Sequence, residues 1–262
     1  SKNTNTVIGN GEYFVIEADE SDKSFLKGEP EISVITNIEA DHLENYPDGI
    51  EEIKSSFLKF AKKQKNGLVV CLEDKITKEL ISANFDLNNT KIISYSTNPN
   101  DNTTLIAKLN LENNNWDIFL KGIYLTSLKL QKPGRHNVQN ALAAFGVGLL
   151  IGIEAEKIKA SLENYQGVKR RFQILGKKND VTIVDDYAHH PTEVIETIKA
   201  AKELMPNRLV VVFQPHQPTR LKFLWNEFLE AFKKEDIPIF ITDTYVARGS
   251  VIQGVNSEAL VK

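Results

Sequence analysis

Apolar runs of strand length alternate along this chain with longer stretches whose apolar residues return every three or four positions. EYFVIEA (12–18) and ISVITNI (32–38) are β-branched runs bounded by Gly, Pro and charge, and they predict buried parallel strands. GIEEIKSSFLKFAKK (49–63) has helical spacing, GLVVCL (67–72) is the next strand, a short helix over 75–83 follows, and KIISYS (91–96) continues the series. Such alternation argues for a doubly wound α/β sheet. Between 103 and 131 the period shortens to two, in TTLIAKLN and WDIFLKGIYLTSLKL, and Asn-rich turns separate the segments. That predicts antiparallel hairpins, a small subsheet beside the parallel strands. HNVQNALAAFGVGLLIG (136–152) predicts a strongly apolar helix and EAEKIKASLENY (154–165) an amphipathic one.

After GVKRR the alternation restarts with VTIVDDY (181–187), a helix over 191–204, RLVVVFQP (208–215), a helix over 219–233 and IPIFITDTY (237–245). This predicts a second, smaller Rossmann-like unit. The boundary falls near Gly167–Phe172, which divides the chain into domains of 1–168 and 169–262. The Asn-rich stretch 84–115 reads as surface turns. The chain opens at Ser1 on a polar stretch and stops after NSEALVK, which resembles the start of a helix. Both ends therefore read as cuts in a longer protein.

Composition narrows the function classes. A net charge of −3, with lysines spread along the chain, gives no electrostatic case for nucleic acid. No run of about 18 apolar residues and no signal-peptide pattern occurs, so no membrane partner is expected and the cytoplasm is the expected location. The single cysteine, Cys71 in LVVCL, cannot form an internal disulfide and reads as a small core residue.

The histidines carry the chemistry. Four of the five follow a strand-like run: His42 after SVITNIEAD, His189 and His190 after VTIVDDYA, and His216 after LVVVFQP. In α/β proteins ligands gather at the carboxyl ends of strands, so these positions read as the rim of a site. EADESD (17–22) adds four carboxylates, hard oxygen ligands suited to Mg²⁺ beside phosphate, or else a solvated turn. Glu17 lies within the apolar run, where a buried carboxylate must be paired or bind a cation. GRHNVQNALAA (134–144) puts Arg, His and Asn at a helix start, with Asn137 a plausible N-cap and Asn137 and Asn140 one turn apart. KRRF (169–172) pairs Arg170 and Arg171, guanidinium forks that match phosphate or carboxylate or else form a surface basic pair. DDYAHHP (185–191) crowds Asp185, Asp186, Tyr187, His189 and His190 before a Pro at the favoured first helical position. FQPHQPTR (213–220) repeats the layout with His216 and Arg220.

Taken in order, EADESD, TNIEADH, GRHNVQNALAA, GVKRRF, DDYAHHP and FQPH..TR resemble the Mur ligases across essentially the whole chain. The resemblance implies a central ATPase domain, mostly parallel with a small antiparallel subsheet, followed by a Rossmann-like C-terminal domain. It also implies ATP-dependent joining of L-alanine to UDP-N-acetylmuramate through an acyl phosphate, a step of peptidoglycan precursor synthesis. Glu17 and His42 would hold Mg²⁺. His136, Asn137 and Asn140 would sit at the adenine of ATP, Arg171 at its phosphates, and Asp186 at the ribose or phosphates. Tyr187, His189, His216 and Arg220 would surround the alanine, with Arg220 on its carboxylate, while His190 reads as structural. Highly anionic reactants need such cation clamps, since stabilising developing charge is the largest catalytic term. A monomer or weak homodimer is expected.

The pattern also departs from the family. Its Gly-rich phosphate loop ending in Gly-Lys-Thr is absent, and the only Gly-Lys, Gly176-Lys177, is followed by Lys. The nucleotide-sugar domain is absent too. Gln217 and Pro218 stand where the family usually has Arg and an aromatic, and Lys23 and ARGS (247–250) also differ from common forms. The 262 residues alone are therefore expected to be inactive. Three alternatives stay open: a loop-less module that binds nucleotide or muropeptide, a relative that takes a different amino acid, and a di-metal hydrolase built from the Asp and His clusters.

Overall fold

The computed structural model describes residues 6–247 and 250–261. Ser1, Lys262 and the Arg248-Gly249 pair of the ARGS segment lie outside the described residues. The chain forms two compact units. One runs to Gln131 and resumes over His136–Gln166, and the other holds Lys132–Arg135 and everything from Gly167.

The first unit is built on a six-stranded sheet in the order β1 (Ile32–Ile35), β2 (Gly67–Cys71), β3 (Ile92–Ser96), β4 (Leu105–Asn110), β5 (Asn115–Leu120), β6 (Ile123–Leu128). β1 to β4 pair in parallel, whereas β4, β5 and β6 form an antiparallel meander with a register shift at Ile118/Phe119. The doubly wound core and the hairpins are both present as expected. β2 and β3 are buried at every position, because helices cover both faces of the parallel part. Successive side chains of β2 serve opposite faces. Leu68 and Val70 join Ile53, Phe60 and Ala61 of α1 (Ile50–Lys63) and Ile81 of α2 (Lys75–Asn84). Val69 and Cys71 join Val138, Leu142 and Phe145 of α3 (Arg135–Leu150) and Ile158 of α4 (Ala155–Glu163).

Local chemistry explains the element ends. α1 carries Glu51 and Glu52 in its first turn and Lys62 and Lys63 in its last, each complementing the helix dipole. Asp74 caps α2, accepting from Thr77 N at 2.8 Å, and the same oxygen accepts from Ile38 N at 3.2 Å, so the cap also fixes the chain leaving β1. Gly146 lets α3 approach the sheet closely: a Cβ there would meet Val69 Cγ1 at 3.0 Å and Ile93 Cγ2 at 3.2 Å, and those side chains would have to shift. Cys71 is a buried core residue, as expected, and burial pushes its thiol up.

Two expectations for this unit fail. EYFVIEA is irregular and exposed rather than a buried strand, with Phe14 78% and Val15 90% accessible. A β-branched run becomes a strand only when a neighbour pairs with it and covers a face. Among the described residues no strand pairs with 12–18. Asn137 is not an N-cap either: α3 begins at Arg135, which places Asn137 inside the first turn. Gly134 precedes the helix with φ 100°, a conformation that disfavours Asn and admits Gly.

The second unit is thinner. β7 (Gln173–Lys178) and β8 (Val181–Asp185) form an antiparallel hairpin, and β9 (Val211–Phe213) pairs in parallel with β10 (Ile239–Ile241). α5 (Pro191–Glu203), α6 (Pro218–Phe223), α7 (Trp225–Lys233) and α8 (Ser257–Val261) complete it. Its core joins Val194, Ile198, Phe213, Leu221, Leu224, Phe228 and Leu260. The alternation of strands and helices is as expected, but three details are corrected. The strand over 181–187 pairs with the unforeseen β7, not with β9. The runs 208–215 and 237–245 contribute only three residues each to the ladder. The helix over 219–233 is broken at Leu224, where φ −107° and ψ 26° leave the helical basin.

Candidate functional site

At the carboxyl end of β1 the chain turns through Asp41 and His42, the latter in a left-handed conformation with φ 53°. Its imidazole is ringed by carboxylates, with Asp41 at 3.6 Å, Glu44 at 3.8 Å and Glu20 at 3.9 Å. EADESD approaches from across the loop and is stapled down. Tyr46 donates its hydroxyl proton to Glu20 O at 2.5 Å, Asn45 Nδ2 donates to Ser21 O at 2.7 Å, and Lys23 pairs with Glu52 while lying 4.7 Å from the Tyr46 ring centre. Burial, then the negative charge of Glu20 and Glu52, pushes the Tyr46 phenol up to about 12, so it remains a donor. Asp19 and Asp22 accept from Ser21 N and Ser24 N, both at 2.8 Å, and the bonds from Ser24 hold the Asp22 carboxyl below its usual range.

Glu17 does not join this group. It is exposed in the irregular segment, no contact links it to His42, and Glu20 is the carboxylate of EADESD that approaches the imidazole. Glu17 is therefore not a buried carboxylate that needs a pairing cation. The oxygens around His42 suit a hard cation chemically, but as placed they do not form a magnesium cage. Among the described residues no group of three or more His, Cys, Asp or Glu converges to hold a metal, so the di-metal alternative has no ligand set. His136, Asn137 and Asn140 lie together on the first two turns of α3, with His136 and Asn137 half-buried and Asn140 exposed.

The second unit gathers its predicted residues closely. Tyr187 and His189 leave the end of β8, and His216 leaves the end of β9, where it bridges to Tyr245 beyond β10. The Tyr187 ring lies 4.9 Å from His189 and 5.9 Å from His216, and the two imidazoles are 5.6 Å apart. Tyr245 closes the far side at 5.5 Å from His216. Arg220 is 6% exposed on α6, and its Nη1 is 3.4 Å from both His216 Nδ1 and the His216 carbonyl oxygen. Burial, then the positive charge of His189, Arg220 and Arg170, holds His216 below the usual imidazole range. A neutral imidazole beside a buried guanidinium is suited to hydrogen-bond an amine while the cation takes a carboxylate.

Around this cluster stand residues that fix loops. Asp186 accepts from Phe172 N and Ala188 N, both at 2.7 Å, so both of its oxygens already hold backbone. Arg171 Nη1 donates to Glu193 at 3.2 Å. His190 caps α5 in a capping box with Glu193, which supports its structural reading. Tyr245 and Glu193 escaped the sequence reading, and Arg170 was read only as one fork of the KRRF pair. Arg170 lies 4.6 Å from the Tyr187 ring centre, a cation–π contact. Tyr245 could have been found by the strand-end rule that found His216. Glu193 was signalled by H-P-T-E, an N-cap followed three residues later by Glu. Non-glycine residues with positive φ also mark these loops: Lys23, His42, Arg170, Phe172 and Gln217. Each costs on the order of 1–3 kcal/mol and persists because neighbours over-determine it.

Comparison with known proteins gives this framework its class. The model of the Mur ligase middle domain matches residues 2–148, and that of the Mur ligase, glutamate ligase domain matches 170–259. The chain belongs to the Mur ligase family. Within it, the chain is similar to UDP-N-acetylmuramate–L-alanine ligases, at 43% identity over 98% of its length in Pelotomaculum thermopropionicum and 41% over 98% in Desulforamulus reducens. It spans 55% of each of these relatives, about half their length. The solved UDP-N-acetylmuramate-alanine ligase of Thermotoga maritima superposes with a TM-score of 0.65 at 26% identity, covering 86% of this chain and 54% of that one. MurF of Acinetobacter baumannii, at 23% identity over 84% of this chain and 48% of its own, shares the fold with a TM-score of 0.65. No helix among the described residues is long and apolar enough to cross a membrane.

Proposed function

We propose that this chain supplies the nucleotide-side and amino-acid-side residues of a ligase that joins L-alanine to UDP-N-acetylmuramate at the expense of ATP. The domains carrying them are 1–168 and 169–262. The observation that carries this reading is the buried Arg220 beside a His216 held neutral, ringed by Tyr187, His189 and Tyr245. A small amino acid presents a carboxylate and an amine a few ångströms apart, and that pair of groups matches this pair. Arg220 takes the carboxylate, and the imidazoles face the amine as it attacks the acyl phosphate made from the muramate carboxyl and ATP. The C–N bond forms, phosphate leaves, and the amine's protons pass to neighbouring bases. His136, Asn137 and Asn140 meet the adenine, Arg171 the phosphates, and Asp186 shapes the loop beside them. Mg²⁺ at Glu17 and His42 rests on the family resemblance alone.

The test uses a chain of the relatives' full length. Phosphate release from ATP is expected only when UDP-N-acetylmuramate and L-alanine are both present, and the 262 residues alone are expected to be inactive. Release with another amino acid but not with L-alanine would overturn the substrate assignment. Nucleotide binding without turnover in the full-length chain would favour the binding-module reading.

A further inference from the structure

We infer that Glu193 is a positioning residue for the amino-acid side, anchoring the His189 imidazole in one orientation through its Nδ1–H; this rests on the ligase reading above. Glu193 is the third residue of α5, and a capping box asks of it a single bond to the N-cap backbone, here from His190 N at 3.2 Å. The carboxylate does more than that. The same oxygen accepts from His189 N at 2.9 Å and lies 3.5 Å from His189 Nδ1, and the other accepts from Arg171 Nη1 at 3.2 Å. Burial pushes the Glu193 carboxyl up, but the His189 N–H, the charge of His189, the His190 N–H and Arg171 outweigh it and the net shift is downward. Glu193 is therefore a fixed anion between the KRRF and DDYAHHP loops.

Its position decides what His189 can do. The Tyr187 carbonyl oxygen is 2.7 Å from His189 Nδ1 and can only accept, so Nδ1 carries a proton and Nε2 is the nitrogen that faces the cluster's chemistry. Two acceptors, one of them charged, thus converge on Nδ1. The ring stands among Tyr187 and His216, so the cluster's geometry depends on this anchor. Arg171 gains less from the pairing: its side chain is 52% exposed, and exposed ion pairs contribute little. The main effect should appear on the amino acid rather than on ATP.

On the full-length ligase, Glu193→Gln keeps an oxygen for the helix cap and removes the charge. Losing a charge-assisted anchor should raise KM for L-alanine about tenfold, while KM for ATP changes less than about threefold. The control is His190→Ala, which removes the N-cap and should lower Tm by about 3 °C with KM for L-alanine unchanged. If Glu193→Gln instead behaves like that control, the residue is only a cap and the inference fails. The ¹⁵N signals of the His189 ring give a second reading that needs no turnover. The Nδ1 proton, held by both the Tyr187 carbonyl and the carboxylate in the parent, should exchange with water faster in Glu193→Gln, and an unchanged exchange rate would overturn the inference. A parent enzyme that ignores L-alanine sinks the ligase reading alone, since the ring signals still decide the role of Glu193.

Discussion

Similar apolar runs have different fates in the two units. GLVVC in β2 is buried at all five positions, whereas in VVF of β9 the central Val212 is 70% exposed and Phe240 of β10 is 61% exposed. The runs have alike β propensity, so propensity does not explain the contrast. In the first unit α1 and α2 cover one face of the sheet and α3 and α4 the other, each with its own apolar cluster. The second unit has one cluster, and its strands are paired only two by two. Burial is set by what covers a strand. The unit with the thinner core holds the cluster of Tyr187, His189, His216 and Arg220, consistent with functional elements drawn from the less stable parts of a structure.

The sharpest way to break this contrast is to cut the same residue from both units. Ile118 of β5 is fully buried and Ile183 of β8 is 52% exposed. Ile118→Ala should cost about 2–5 kcal/mol, through lost burial and the cavity left behind. Ile183→Ala should cost no more than about 0.5 kcal/mol. Urea unfolding of the two variants measures both. Equal losses would mean that the hairpin face is covered in solution.

Arg220 offers the next largest effect and tests whether the second unit's one buried guanidinium in this cluster serves chemistry. Arg220→Lys keeps the charge but loses the planar fork, so KM for L-alanine in the full-length ligase should rise about a hundredfold. An unchanged KM would assign Arg220 to folding alone.

Much of this was legible in the sequence, for reasons that differ by region. The period of two over 103–131 and the helical spacing of 49–63 reflect local geometry, and the hairpins and α1 follow from it. Tyr187, His189, His216 and Arg220 were found because strand ends are where α/β folds expose side chains, and the structure brings these four together. EYFVIEA misled because a strand's existence depends on a partner that its own residues do not specify. Tyr245 went unnoticed, and the contact of Arg170 with Tyr187 was not foreseen, because both depend on backbone turns, such as φ 57° at Arg170, that no local pattern announces.

Asp186 sharpens the comparison at a middle scale, since it does for the KRRF loop what buried apolar contacts do for the first unit's strands. Its two oxygens accept from Phe172 N and Ala188 N, and Phe172 has φ 45° with its side chain buried. An amide offers only one acceptor oxygen, so Asp186→Asn leaves one N–H facing an NH₂. The expected cost is about 1–3 kcal/mol, read as a lower urea midpoint. No loss would show that the loop is held by packing of Phe172 alone.

The smallest effect concerns pH. Burial and the charges of His189, Arg220 and Arg170 hold His216 below the usual imidazole range in the folded chain, whereas the unfolded chain titrates near the ordinary value of about 6.5. Below that value the unfolded state binds the extra proton first. Folding stability contributed by neutral His216 is therefore fully present above about pH 6.5, and it declines as the pH falls towards the folded value. Replacing the imidazole by an amide in His216→Asn removes that proton linkage and leaves the other four histidines in place. Urea midpoints compared between about pH 7.5 and 5.5 should fall more steeply in the parent than in the variant. Parallel declines would mean that His216 charges freely in the folded state, and the neutral acceptor beside Arg220 would be lost with it.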